Sequence, residues 1–143
     1  MKIRPFTNED VAQIAELEKL CFSHPWKAED FSAVCRYPVL YGLALEEDGE
    51  IVGYCCTQVL FEDAELQNIA IAPKMRGKGL ATLLLSAAEE NAKTLGAEKC
   101  FLEVRVGNTP AVKLYEKFGY ERIGVRKGYY EDGEDAILMR KTF

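Results

Sequence analysis

No apolar stretch in this chain is long enough to cross a bilayer as a helix. Its first residues also lack the charged, apolar and small-residue succession of a secretory signal. A cytoplasmic location is therefore expected. Histidine is almost missing: His24 stands alone, with no cysteine pair near it, so there is little from which to build a zinc site and no metal is implied. The five cysteines, Cys21, Cys35, Cys55, Cys56 and Cys100, are odd in number and never in Cys-x-x-Cys spacing. Most lie in apolar surroundings, which reads as buried free thiols in a reducing compartment. A positive charge balance is missing too. The net charge is −5 and there is no basic stripe, which disfavours direct nucleic-acid binding and tolerates a basic protein or peptide partner. Repeats, low-complexity segments and linkers are absent. The 143 residues, 48% hydrophobic and 29% charged, are therefore expected to form one domain, 1–143, with a substantial core.

What is present centres on Glu65–Gly96. Glu65-Leu-Gln-Asn-Ile-Ala-Ile-Ala72 is short, apolar and β-compatible, and Pro73 ends it. Leu80, Leu83, Leu84, Ala87 and Ala88 then repeat at helical spacing. Between them stands Lys74-Met-Arg-Gly-Lys-Gly-Leu-Ala81. Strand, glycine-rich turn and helix in this order leave the N–H groups of a helix N-terminus open to a closely approaching anion. Arg76 and Lys78 add charge of the sign that phosphate needs. The turn is neither Gly-x-Gly-x-x-Gly nor Gly-x-x-x-x-Gly-Lys-Ser/Thr, which sets aside dinucleotide folds and P-loops. A turn with merely solvated cations is the plainer alternative.

The rest of the chain alternates. Lys2–Phe6 reads as a strand, and Thr7-Asn-Glu-Asp10 starts a helix running to Cys21. His24-Pro25-Trp26 breaks it, and Lys27–Cys35 is a second helix stopped at Tyr37-Pro38. Val39–Leu45 and Ile51–Phe61 are strands joined by a polar turn, Glu46–Glu50, containing Asp-Gly. Gly96 caps the long helix. Glu98–Val106 is a strand interrupted by Glu103 and Arg105. Asn108-Thr-Pro110 opens a helix with Ala111, Leu114, Tyr115 and Phe118 on one face. Tyr120–Val125 and Asp135–Lys141 are the last strands, separated by a loop. Hairpins together with crossover helices imply an α/β fold with a mixed sheet.

The segment Arg76-Gly-Lys-Gly79-Leu-Ala81 resembles the Gln/Arg-x-x-Gly-x-Gly/Ala coenzyme A pyrophosphate loop of the GNAT acetyltransferases. Leu102-Glu-Val-Arg105 followed by Asn108-Thr-Pro-Ala-Val-Lys-Leu-Tyr-Glu-Lys-Phe-Gly-Tyr120 resembles the closing pattern of the same family. His24-Pro-Trp26, Asn68-Ile-Ala70, Tyr129-Tyr130, Glu134-Asp-Ala136 and Met139 narrow the likeness to the RimI-type ribosomal-protein-alanine N-acetyltransferases. The one departure is Ala81, where relatives often carry glycine. The resemblance implies the GNAT fold, a central mixed twisted β-sheet flanked by helices. It also implies acetyl transfer from acetyl-CoA, with coenzyme A as product, to a protein N-terminus such as the N-terminal alanine of a small-subunit ribosomal protein.

Roles follow from the resemblance. Main-chain groups of Ile69, Ala70 and Ile71 would bind the acetyl-pantetheine arm. Arg76, Gly77, Lys78, Gly79, Leu80, Ala81 and Thr82 would hold the pyrophosphate. Asn108 would touch the cofactor, or simply cap its helix. Glu103 would be the general base, taking the amine proton through water; its alternative is a salt bridge to a neighbour such as Arg105, since a carboxylate in an apolar strand needs a partner or a cleft. Tyr115 would be the general acid; its helical spacing alone suggests core. Trp26, Tyr129 and Tyr130 would face the peptide, or anchor surface loops. The acidic run Glu131, Asp132, Glu134 and Asp135 would attract a basic substrate tail, or be solvated.

The chemistry favours an N-terminus. The attacking amine must be neutral, and an α-amino group near pKa 8 is roughly a tenth neutral at pH 7, against under one in a thousand for lysine near 10.4. The other readings are a GNAT acting on lysine side chains or a small amine, and a non-catalytic acyl-CoA-binding subunit or partner in a tRNA-modification complex. The oligomeric state is open; a monomer suffices.

Overall fold

The computed structural model describes all 143 residues. Strands β1 (Lys2–Pro5), β2 (Leu40–Glu47), β3 (Glu50–Leu60), β4 (Asp63–Ile71), β5 (Lys99–Arg105), β6 (Glu121–Arg126) and β7 (Ala136–Thr142) form one sheet. It is seven-stranded, in the order β1-β2-β3-β4-β5-β7-β6. The helices are α1 (Val11–Cys21), α2 (Ala28–Arg36), α3 (Leu80–Thr94) and α4 (Thr109–Lys117). Each expected element is present within a few residues of its expected bounds. The first helical turn, Asn8–Asp10, is 3₁₀ rather than α. The polar turn is also tighter than expected. Asp48 and Gly49, both at positive φ (51° and 79°), join β2 to β3 as a two-residue hairpin whose twist suits the strands.

The helices sandwich the sheet because β3 alternates. Tyr54 points at α1 and α2: its ring meets Phe31 edge-on at 5.5 Å. Gly53 points the other way, at α3. A Cβ there would lie 2.8 Å from Ile71 Cδ1 and 3.2 Å from Leu84 Cδ1, so glycine is what lets α3 sit so close. The core holds Ile14, Phe31, Leu45, Tyr54, Leu84, Leu85 and Met139, each almost fully buried.

Two irregularities in β4 place the site. All neighbouring strands pair antiparallel except β4 and β5, and that parallel pairing runs only from Asp63 and Lys99 to Leu66 and Leu102. Beyond Leu66 the strands part. At the same point the register with β3 shifts, Thr57 facing Leu66 and Cys56 facing Asn68. Gln67 is thus an extra residue, a β-bulge. One extra residue exchanges the faces of everything after it. Leu66 is buried on the α3 side beside Leu85 and Ala88, whereas Asn68, two residues on, turns to α1 and hydrogen-bonds Glu18.

Candidate active site

The parting of β4 and β5 opens a cleft of about 1050 Å³. Its walls include Ile69, Ala70 and Ile71 from β4, Glu103 and Arg105 from β5, Asn108 and Tyr115 from α4 and its approach, and Trp26 and Tyr130 from two loops. The sequence separations among these are large. The fold therefore brings together most of the residues singled out from the sequence.

Main chain supplies one side. The Ala72 N–H donates to the Val52 carbonyl at 2.8 Å. In an antiparallel pair the polar groups of successive residues alternate in direction, so Ala70 is aimed at Tyr54 of β3 while Ile69 and Ile71 face the gap. The Ile71 carbonyl does so visibly, accepting from Arg76 Nε at 3.1 Å and from Cys21 Sγ at 3.6 Å. Of the three residues expected to offer backbone to an acyl arm, Ile69 turns its main-chain groups to the gap, Ile71 leaves only its N–H open because Arg76 and Cys21 take its carbonyl, and Ala70 contributes only its small side of the wall. Further along, the N–H groups of Gly77 through Thr82 have no acceptor in the protein. They lie where the chain turns into α3, with Gly77 and Gly79 at φ of 80° and 77°, a conformation that glycine reaches without strain. The Gly79 carbonyl already receives the Leu83 N–H at 3.3 Å, so the helix is begun and its opening amides remain bare.

The two cations of this turn make polar contacts within the protein but are paired with no carboxylate. Arg76 is folded back with Nε on Ile71, and Lys78 Nζ lies 3.8 Å from Met75 Sδ. Arg76 and Ala81 line the cleft, while Leu80 sits with its side chain in the core. The turn therefore offers an anion its bare amides, the helix dipole and two cations that no carboxylate neutralises.

Glu103 alternates with Leu102 and Val104, which are buried, and emerges on the opposite face of β5, its side chain 28% exposed. The expected rival partner, Arg105, is not its partner. Arg105 binds Asp132 at 2.8 Å and Glu134 at 2.9 Å, because β5 carries it past the loop before β7. Glu103 lies 3.4 Å from Arg126 Nε across β7. The Glu103 carboxylate nearby raises the Tyr129 hydroxyl above its ordinary pKa.

Tyr115 is core and cleft at once: 6% exposed, its ring against Tyr120 at 5.9 Å, and lining the cavity. Burial, with the Cys100 thiol next in weight, pushes its hydroxyl well up. Asn108 is an N-cap, its Oδ1 accepting from the Ala111 N–H at 3.3 Å, and it lines the cleft as well.

The aromatic loops are less uniform than expected. Trp26 packs on Phe31 at 5.3 Å. Tyr130 lies under the Arg105 guanidinium at 4.0 Å, a cation–π contact that fixes its ring in the wall. Tyr129 stands outside the lining, half exposed and edge-on to Tyr130 at 5.1 Å. Most of the acidic run is also occupied within the protein. Asp132 and Glu134 hold Arg105, Glu134 takes the Gly107 N–H at 2.9 Å, and Asp135 takes the Gly128 N–H at 2.8 Å. These carboxylates tie the loop rather than standing free for a basic tail; Glu131 remains on the cleft lip.

All five cysteines are free thiols, and burial raises the pKa of each, Cys100 to about 11 and Cys55 to about 12. Raised thiols are poor nucleophiles. Sequence reading missed Glu18. It was visible as a glutamate on the apolar stripe of α1, and it proves almost fully buried, 2% exposed, at the cleft wall.

The profile of the acetyltransferase (GNAT) family matches residues 11–120. A putative [ribosomal protein bS18]-alanine N-acetyltransferase of Bacillus subtilis is 40% identical over 142 residues, 98% of this chain and 94% of that one. The chain belongs to the GNAT acetyltransferase family. GNAT enzymes draw their acetyl group from acetyl-CoA. An N-alpha-acetyltransferase of Saccharolobus solfataricus is 33% identical, covering 93% of this chain and 87% of that one. The crystal structure of the ribosomal-protein-S18-alanine N-acetyltransferase from Escherichia coli superposes with a TM-score of 0.91 at 29% identity, covering 99% and 92% of the two chains. This GNAT chain carries a mixed seven-stranded sheet flanked by helices, and no helix in it is long and apolar enough to cross a membrane.

Proposed function

We propose that this protein transfers the acetyl group of acetyl-CoA to the α-amine of a protein N-terminus, most specifically the N-terminal alanine of a small-subunit ribosomal protein, in the cytoplasm. One observation carries the reading. A single cleft has bare main-chain groups on one side, aromatic loops on the other, and Glu103 and Tyr115 in its walls. Relatives named for bS18 alanine and for N-alpha acetylation support the substrate.

In this reading the amides of Gly77–Thr82 hold the pyrophosphate, and Ile69 and Ile71 pair with the acyl arm as a further strand would. The thioester supplies an activated acetyl group. Glu103 takes the proton from the attacking amine, directly or through a water, as the new C–N bond forms and the C–S bond breaks. Tyr115 meets the leaving sulfur. Its raised pKa keeps the hydroxyl protonated and makes complete transfer more uphill than between an ordinary tyrosine near 10 and a thiol near 8.5, so its role is to donate a hydrogen bond to the developing thiolate. Direct attack needs no cysteine. Trp26 and Tyr130 wall the slot for an extended peptide end, with Tyr129 beside them.

The test is the intact mass of small-subunit ribosomal proteins from cells with and without this protein. One alanine-initiated protein should lose a single acetyl group in its absence. Unchanged N-termini, with lost acetylation on lysines or small amines, would move the substrate to the lysine or small-amine class.

A further inference from the structure

The main chain between α1 and α2 is sparsely bonded, although Phe22 and Trp26 pack against the core. After the Phe22 N–H closes α1 on the Glu18 carbonyl, and before the Lys27 N–H starts α2 on Asp30, its main chain makes one hydrogen bond to the body of the protein. The Trp26 N–H donates to Glu18 Oε2 at 2.9 Å. The other oxygen, Oε1, receives the Tyr54 hydroxyl from β3 and Asn68 Nδ2, at 2.9 Å, from β4. Asn68 reaches it only because the bulge at Gln67 turns it to that face. One buried carboxylate therefore joins a helix, two strands and a loop. Phe22, Ser23, His24 and Trp26 of that loop all line the cleft.

We propose that Glu18 is a positioning residue for the protein substrate: it pins the Ser23–Trp26 loop to β4 and thereby sets the wall that receives the amine-bearing residue. This rests on the N-terminal acetyltransferase reading. Three donors converge on a carboxylate that can accept all of them. A glutamine there has one accepting oxygen instead of two, so it cannot serve the Trp26 N–H and the Asn68 NH₂ together unless Asn68 turns its Oδ1 inward, and a buried donor left without an acceptor is costly. The bare amides of the α3 turn make no hydrogen bond to this cluster, so loosening the loop acts on the peptide first.

The experiment uses Glu18→Gln with two readouts. Trp26 is the only tryptophan, so its emission and its quenching by acrylamide report the loop with no turnover required. Increased quenching is expected, together with a peptide KM raised about tenfold, the size of one charge-assisted hydrogen bond, and an acetyl-CoA dissociation constant within about twofold of the parent. Adding Asn68→Asp supplies an acceptor for the introduced amide and should restore both readouts. Unchanged quenching and KM, equal losses for peptide and acetyl-CoA, or no rescue by the second change would overturn the proposal. Should Glu18→Gln fail to fold, Glu18→Asp keeps the charge but shortens the reach to Trp26, and must show the same split. Failure of the parent protein to acetylate any N-terminus contradicts the activity reading instead, while the quenching result still decides the role of Glu18.

Discussion

The two sides of the cleft are made of different material. The side formed by β4 and the start of α3 is backbone: Ile69 and Ile71 facing the gap, then the bare amides of Gly77–Thr82. The rest of the wall is loops and side chains held by other side chains. Trp26 hangs from Glu18, Tyr130 lies against Arg105, and Arg105 is gripped by Asp132 and Glu134. A backbone site suits a ligand that does not vary, since it needs only a strand, a turn and a helix start. A side-chain site can be altered one residue at a time, which suits a variable protein substrate.

The sharpest test of this division lies between the two sides. Glu103→Gln should lower kcat at pH 7 by about 10²–10⁴-fold, and the loss should shrink as pH rises and the amine loses its own proton. Tyr115→Phe should cost a similar factor that stays flat from about pH 6 to about pH 9, because burial holds this hydroxyl above its ordinary value near 10 and it stays protonated throughout. Parallel pH profiles for the two variants would assign the base elsewhere.

Next in size is the backbone side. Gly79 sits at φ 77°, and Gly79→Val adds both strain there and bulk over the amides. Acetyl-CoA at about 100 times its dissociation constant should stabilise the parent by about 2.7 kcal/mol. The variant should keep a thermal unfolding transition and lose that shift. An undiminished shift would separate the turn from the cofactor.

The smallest effect is expected on the side-chain side. Tyr130→Ala removes a ring whose cation–π contact is of the order of 1 kcal/mol. Its peptide KM should rise about fivefold, with acetyl-CoA binding unchanged. An equal rise for both ligands would erase the distinction between the sides.

The same division explains what could be read in advance. The turn at Arg76–Ala81 was legible because a backbone site leaves its signature in consecutive residues: proline, glycines, then an apolar helical period. Glu103 stood out as a carboxylate in an apolar strand, but its role, like that of Tyr115, came only from motif resemblance; by periodicity alone Tyr115 reads as core, and it is core as well. Tertiary contacts left no local trace. Nothing adjacent to Glu18 announces Tyr54 or Asn68, and nothing in Glu65–Ala72 marks Gln67 as a bulge, since alternation is blurred in a strand apolar on both faces. Arg105 and Glu103 look like a pair in sequence. They share one face of β5, but each reaches a different element, Arg105 the loop before β7 and Glu103 the end of β6.

Most direct is a single peptide carrying both a free N-terminal alanine and an internal lysine, incubated with the protein and acetyl-CoA and fragmented in a mass spectrometer. With a carboxylate base and no second activating group, the neutral fraction of each amine decides the competition, and it favours the α-amine by more than about two decades at pH 7. The acetyl group should therefore be found on the alanine nitrogen, with the lysine unmodified. Acetyl on the lysine nitrogen, with the alanine amine left free, would contradict the account.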